Sequence, residues 1–358
     1  MSGAGGRLGV LHARALKQAD PSLYLIGIDA DPIRITRAET DEVHLVPRAS
    51  DPAYIPVVAQ VVLQTDADLL LTNVTADIPA ISAGRDRLGC TTFLPDHETV
   101  MLCEDKAASN AVWQKAGVPV PSSMRINDQG DLKQAFDEYG EKIWLRALVG
   151  SGASGALPVS DMESAISWIN LNKGWGRFMA AELLGPQTVS WESVWSNGEL
   201  VVAQSRRRLY WEFGRIAMSG VSGIAGAGEA IADPEIDQVG LAAVRAVAER
   251  PNGVLGVDVA YDMEGNPKVT EINPGRFMSG ASCHFASKFF NVPYAAVQAA
   301  FGEDGGFQRP LLNPVTPGTI FVSGLDRVPV FTTRFEIEQR KSSLELLLKE
   351  VSEPSGTV

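Results

Sequence analysis

Residues 253–276 hold the pattern that most restricts what this chain can be. Gly253-Val254-Leu255-Gly256-Val257-Asp258-Val259-Ala260-Tyr261-Asp262 reads as a strand, Glu264-Gly265-Asn266-Pro267 as a turn, and Val269-Thr270-Glu271-Ile272-Asn273-Pro274 as the returning strand, with Gly275 and Arg276 just past it. Side chains alternate across a strand, so Glu271 and Asn273, two positions apart, leave the same face. Asp258 on the neighbouring strand joins them. Two carboxylates and an amide oxygen in one small volume suit Mg²⁺, with Mn²⁺ as a substitute; such an ion takes few protein groups and leaves room for phosphate oxygens. Arg276 adds a cation beside them. The expectation is a metal-phosphate site with an anion clamp; the plainer alternative is a row of polar residues on a half-exposed sheet.

A chain of 358 residues is too long for one compact core and fits two or three packed units. An apolar content of 45% with 21% charged residues excludes disordered and fibrous classes. Its 31 basic against 43 acidic residues, a net charge of −12, argue against a nucleic-acid surface, which needs a basic footprint. Cys90, Cys103 and Cys283 have no metal-ligand spacing and are expected to be reduced thiols of a cytoplasmic protein. No apolar run approaches the roughly 20 residues of a membrane span, and the N-terminal residues lack the features of a signal peptide. His12, His44, His97 and His284 are scattered, and no triad or zinc spacing is visible among them.

The first hundred or so residues alternate between helix and strand. Gly3-Ala4-Gly5-Gly6-Arg7-Leu8-Gly9 opens a helix over about 8–19, strands are expected at 23–29, 43–46 and 69–72, and a helix at 52–64. Such a glycine turn normally follows a first strand, and only Met1-Ser2 precede it, so the start is truncated or misassigned, or strand one is missing. Further on, helices are expected at 104–116, 130–140, 161–170, 234–249, 293–301 and 336–351, and strands at 143–148, 156–159, 177–184, 188–195 and 200–206, with Asn197-Gly198 as a hairpin turn. Residues 213–228, rich in glycine and serine, are expected to be loop.

Several segments could carry chemistry. The glycine turn at 3–9, with Asp29 and Asp31 about 20 residues on, matches a dinucleotide fingerprint, although many doubly wound domains use such turns only for helix packing. The run Gly150-Ser151-Gly152-Ala153-Ser154-Gly155 can fold backbone N–H groups over an anion, and Arg146 on the strand before it suits a nucleotide triphosphate; an ordinary hairpin is the alternative. Lys106 follows Asp105 at a helix start, where the helix dipole disfavours a cation, so helix physics alone does not explain it. Glu182-Leu183-Leu184-Gly185-Pro186-Gln187 could offer backbone groups to an adenine edge, with Glu182 or Gln187 for its amino group or the ribose. Arg206-Arg207-Arg208 could meet an anionic substrate, with Arg207, Arg215 and Ser219 as candidates for an acceptor pocket.

Taken in order, Asp105-Lys106, a basic strand before a glycine-rich flap, Glu182-Leu183-Leu184-Gly185, a Gly-Val-Asp strand and Glu271-Ile272-Asn273-Pro274-Gly275-Arg276 resemble the ATP-grasp superfamily, over roughly residues 1–325. The closest flavour is its carbamoyl-phosphate-synthase-like and carboxylate–amine ligase branches. The resemblance implies an α/β plus α+β chain. Residues 1–103 would form a doubly wound pre-ATP-grasp domain, 104–183 a small lid subdomain, 184–330 the metal-bearing subdomain and 331–358 a C-terminal helix and tail. It also implies roles. Lys106 and Arg146 would contact ATP phosphates, Gly150, Ser151, Gly152, Ser154 and Gly155 would close over them, and Glu182 and Leu184 would lie at the adenine. Asp258, Glu271 and Asn273 would hold Mg²⁺, and Arg276 would steady a carboxylate or acyl-phosphate. The family usually has lysine where Arg146 stands, which keeps the charge and changes the geometry. The implied activity joins a small carboxylate to an amine at the expense of ATP. An NAD-binding oxidoreductase and a non-catalytic nucleotide-binding protein are the competitors. The terminal helix could pack on its own domain or on a second subunit of a homodimer.

Overall fold

The computed structural model describes residues 1–149, 155–278, 280–323 and 333–352. The N-terminal unit runs α1 (Arg7–Ala19), β1 (Ile26–Asp29), β2 (Glu42–Leu45), α2 (Tyr54–Thr65), β3 (Leu69–Leu70), α3 (Ile78–Gly84) and β4 (Thr91–Thr92). β1 pairs with β2 and β3 with β4, all in parallel. Between the two pairs, Ser2 bridges Ile28 in parallel and donates its backbone N–H to Leu71 at 2.9 Å. Met1-Ser2 therefore stand in the central-strand position ahead of the glycine turn. A cavity of about 190 Å³ lies beside them, lined by Met1 and by apolar residues such as Leu16, Ile26, Val58 and Leu70.

The glycines of the turn serve packing. A Cβ on Gly5 would lie 2.0 Å from the Arg34 carbonyl oxygen, and one on Gly9 would lie 2.3 Å from that of Gly3. Asp29, the acid a dinucleotide ribose would use, accepts from the Gly5 N–H at 3.2 Å instead.

The helix expected at 104–116 is α5 (Lys106–Lys115), and an unanticipated helix, α4 (His97–Glu104), runs directly into it. The break comes from Asp105, whose extended backbone (φ −92°, ψ 103°) lets its carboxylate accept from the N–H groups of Ala107 and Ala108. A smaller antiparallel sheet follows, in the order β5 (Ser123–Ile126), β8 (Phe178–Glu182), β6 (Ile143–Ala147), β7 (Leu157–Val159). Helices α6 (Gln129–Tyr139) and α7 (Met162–Leu171) pack on it around Ile126, Leu132, Leu145 and Phe178.

The large sheet has seven strands among the described residues: β13 (Pro267–Pro274), β12 (Gly253–Tyr261), β9 (Thr188–Ser196), β10 (Glu199–Trp211), β11 (Ala225–Ile231) and β15 (Ile320–Val322) in order, with β14 (Leu311–Leu312) on β10. β11 lies partly in the segment expected to be loop. Its glycines leave room for large neighbours: a Cβ on Gly226 would meet the Tyr210 ring at 2.0 Å, and one on Gly228 would meet Phe321 and Arg206. One face of the sheet packs α8 (Pro234–Val247) through Trp191, Trp195, Leu255 and Val257. The opposite face is apolar at one end, where α10 (Val292–Ala300) covers Val194, Val202 and Val254 beside Phe277. Its other end carries the polar row described below; α9 (Ala281–Ala286) follows the turn after β13. α11 (Arg334–Ser352) packs on its own chain, burying Leu347 in the N-terminal core. No described helix is long and apolar enough to cross a membrane.

Candidate active site

Strand register brings the polar row together. Glu271 on β13 pairs with Asp258 on β12, Asp258 with Ser190 on β9, and Ser190 with Arg206 on β10. Asn273 lies two residues from Glu271 on the same face. Among the described residues no three His, Cys, Asp or Glu side chains form a ready metal cage. The oxygen set is therefore two carboxylates and an amide.

These oxygens sit among cations. Glu271 lies 3.6 Å from Lys106 Nζ and 4.0 Å from Arg146 Nη1. Arg146 also donates to the Thr270 carbonyl at 3.0 Å, tying the small sheet to the large one. Burial alone would raise the Glu271 carboxyl, but Lys106, Arg146, Arg276 and Arg208 outweigh it and hold the group below the usual glutamate value. Lys106 at the first position of α5 thus finds in Glu271 the partner that helix physics withholds.

Asp258 pairs with Arg208, whose guanidinium stacks on the Trp211 ring at 4.6 Å. Asn273 donates to Asp258 at 3.2 Å and turns its amide oxygen to Arg276 Nη2 at 2.6 Å. The amide oxygen thus faces the guanidinium, and the NH₂ side faces the Asp258 carboxylate. Arg276 also donates to Thr75 Oγ1 at 2.8 Å and so reaches the N-terminal unit.

Arg207 is a second correction. Alternation along β10 sends it to the α8 face, where it meets Glu229 at 3.2 Å, while Arg206 and Arg208 face the polar row. Arg206 bonds Ser190 Oγ at 2.6 Å, and burial, with like charge from Arg208 and Arg7, pulls it down to about 9 against Glu192 and Asp258. Of the arginine triplet, Arg206 and Arg208 are thus the two on the polar face, and Glu192 is the residue that sequence reasoning passed over. The signal for Glu192 was present: in Val189-Ser190-Trp191-Glu192 a charged side chain takes the strand position that alternates with buried tryptophan.

The remaining candidates are more dispersed. Glu182 accepts from the Ser122 N–H at 2.8 Å, a strand-end bond, and the segment through Leu184 to Gln187 runs along β12, with Gly185 N–H on Tyr261 O at 2.8 Å and Gln187 O accepting from Tyr261 N–H at 3.2 Å. Gly155 takes a left-handed conformation (φ +70°), and its carbonyl accepts from Trp168 Nε1. Gly150, Ser151, Gly152 and Ser154 lie outside the described residues. Arg215 and Ser219 lie in the loop between β10 and β11. Cys90, Cys103 and Cys283 are free thiols.

No protein-family model matches the sequence. Solved structures do. The biotin carboxylase domain of 2-oxoglutarate carboxylase from Hydrogenobacter thermophilus, determined with MgADP and bicarbonate, superposes with a TM-score of 0.67 at 16% identity, over 88% of this chain and 72% of that one. L-amino acid ligase from Bacillus licheniformis gives 0.64 at 15%, over 83% and 74%. N5-carboxyaminoimidazole synthetase from Staphylococcus aureus, complexed with ADP, gives 0.63 at 14%, over 90% and 78%. At these identities the likeness establishes architecture: the chain has the mixed α/β fold of the ATP-grasp enzymes.

Proposed function

We propose that this protein is an ATP-dependent ligase that activates a small-molecule carboxylate as an acyl-phosphate for attack by an amine, releasing ADP and phosphate. The observation that carries the reading is the gathering of Lys106, Arg146 and Arg276 around Glu271, beside Asp258 and Asn273, on one face of the large sheet. The biotin carboxylase and synthetase structures with bound MgADP or ADP support it. In this reading residues 1–103 form the pre-ATP-grasp domain, 104–183 the small subdomain and 184–330 the large one.

The donor set fits Mg²⁺: two carboxylates paired with cations, and an amide oxygen that would turn over from Arg276, all hard oxygens. Asp258, Glu271 and Asn273 would hold the ion, which supplies positive charge to the transferring phosphoryl group. Lys106 and Arg146 sit where they can leave Glu271 for phosphate oxygens, positioning ATP and offsetting charge that develops on it. Arg276 would steady the substrate carboxylate, and the 150–155 segment would exclude water from the labile acyl-phosphate. Glu182, Leu184 and Gln187 would receive the adenine and ribose.

The test is a phosphate-release screen with MgATP against small carboxylates, each with and without amines, run beside Glu271→Gln. The reading expects release that requires an acid, rises with one amine class and is absent in the variant. Tight NAD(H) binding with no ATP binding would overturn it.

A further inference from the structure

Glu192 is an expensive residue for its position. It sits on β9 with only 4% exposure, inside a sheet face whose next residue on that side, Val194, packs apolar core. A buried carboxylate is tolerated when its oxygens are bonded. Here one oxygen accepts from the Met278 backbone N–H and the other from Ser282 Oγ. The two bonds hold the Met278 backbone, two residues past Arg276, and Ser282 in the first turn of α9.

The register extends the link. Glu192 pairs with Gly256, and Gly256 with Asn273. Gly256 has no side chain, and the Met278 side chain fills that space: a Cβ there would lie 2.7 Å from Met278 Cε. Met278 Sδ in turn accepts from Asn273 Nδ2 at 3.3 Å, and the Asn273 oxygen holds Arg276 Nη2. Arg276 donates as well to the carbonyl of Phe277, at 3.2 Å. A continuous path of contacts runs from Glu192 through Met278 and Asn273 to the guanidinium of Arg276.

We propose that Glu192 is a positioning residue, one that sets the Arg276 guanidinium for the substrate carboxylate by anchoring Met278 and Ser282; this rests on the ligase reading above. Its work is done through its two hydrogen bonds, so an amide of the same shape serves and a methyl group does not. Misplacing a substrate-binding group by about 1 Å can cost on the order of 100-fold.

The experiment compares Glu192→Gln and Glu192→Ala. Glu192→Ala is expected to raise KM for the acid by about 10- to 100-fold while KM for MgATP stays within about 3-fold, and Glu192→Gln to restore the acid KM to within about 3-fold of wild type. Equal impairment in both variants, or a parallel rise in both KM values, overturns the inference. Ser282→Ala, which removes one anchor and leaves the carboxylate paired to Met278, covers a Glu192→Ala protein that does not fold: it should raise the acid KM in the same selective way, and an unchanged value counts against the inference. The Arg276 side-chain ¹⁵N resonance of the ligand-free protein gives a readout independent of turnover. It should move in the alanine variants and stay in Glu192→Gln; a resonance unmoved by the loss of the anchors overturns the inference. Absence of ATP-dependent phosphate release by wild type with every acid tested overturns the ligase reading instead, and the resonance then decides the case for Glu192.

Discussion

Replacing Glu271 by glutamine tests the centre of the site, because that carboxylate is shared by two cations. At 3.6 and 4.0 Å, and at an effective dielectric of about 20, the attractions to Lys106 and Arg146 are each about 4–5 kcal/mol before desolvation is subtracted. Removing one partner of a buried pair typically costs about 3–5 kcal/mol, since the other charge stays behind. The Glu271 side chain retains 29% of its exposure, so solvent screens part of this. The ligand-free variant is therefore expected to lose about 2–4 kcal/mol, read by urea unfolding followed through tryptophan fluorescence. Adding Lys106→Met should recover about 0.5–3 kcal/mol as a coupling in the double-mutant cycle. The sign with pH follows from the lowered folded pKa of Glu271. Its stabilisation is present above the unfolded carboxyl value and is lost as pH falls through the folded one, so wild type and variant converge in acid. Phosphate release should vanish with the carboxylate. A ligand-free variant within about 0.5 kcal/mol of wild type would show that Glu271 does not hold these cations, and wild-type turnover would remove the proposed metal site.

The two neighbouring arginines should separate cleanly. Arg208→Met removes the cation paired with Asp258 in a partly buried site, leaving it only the Asn273 amide, and should cost about 3–5 kcal/mol. Arg207→Ala breaks a pair that is 41% and 25% exposed and should cost under about 1 kcal/mol with turnover retained. The reverse order in urea unfolding would refute the face assignment. Burial, helped by the charge of Asp29, raises Asp77 from 3.8 to about 6. The folded state then holds that proton more tightly than the unfolded chain, so this group lowers stability as pH rises from about 4 to about 6. Asp77→Asn should match wild type near pH 4 and exceed it above pH 6 by at most about 3 kcal/mol; a difference independent of pH would refute the assignment.

Much of this could be read without coordinates. The hairpin at 253–276 declared itself through alternation, and with it the common face of Asp258, Glu271 and Asn273. Asn197-Gly198 marked the β9–β10 turn, and most expected helix ranges agree with the observed ones to within a few residues. The errors have local causes. Residues 225–228 look like loop because glycine carries no strand propensity, yet the strand forms since Tyr210, Phe321 and Arg206 need the space that glycine leaves. Asp105 falls inside the first turn of the helix expected at 104–116, whereas its carboxylate caps α5 from outside and separates it from the unanticipated α4.

Sequence by itself determined which residues share a strand face, because alternation is a property of the backbone and needs no partner. Tertiary structure alone decided what those faces meet. Lys106 and Arg146 reach Glu271 across 165 and 125 residues of chain, the Asn273 oxygen turns to Arg276 rather than to the carboxylates, and Arg207 points away while Arg206 and Arg208 point in. Such choices depend on which sheets pack together and on where buried charges find partners, and both are set by long-range contacts that no local pattern encodes.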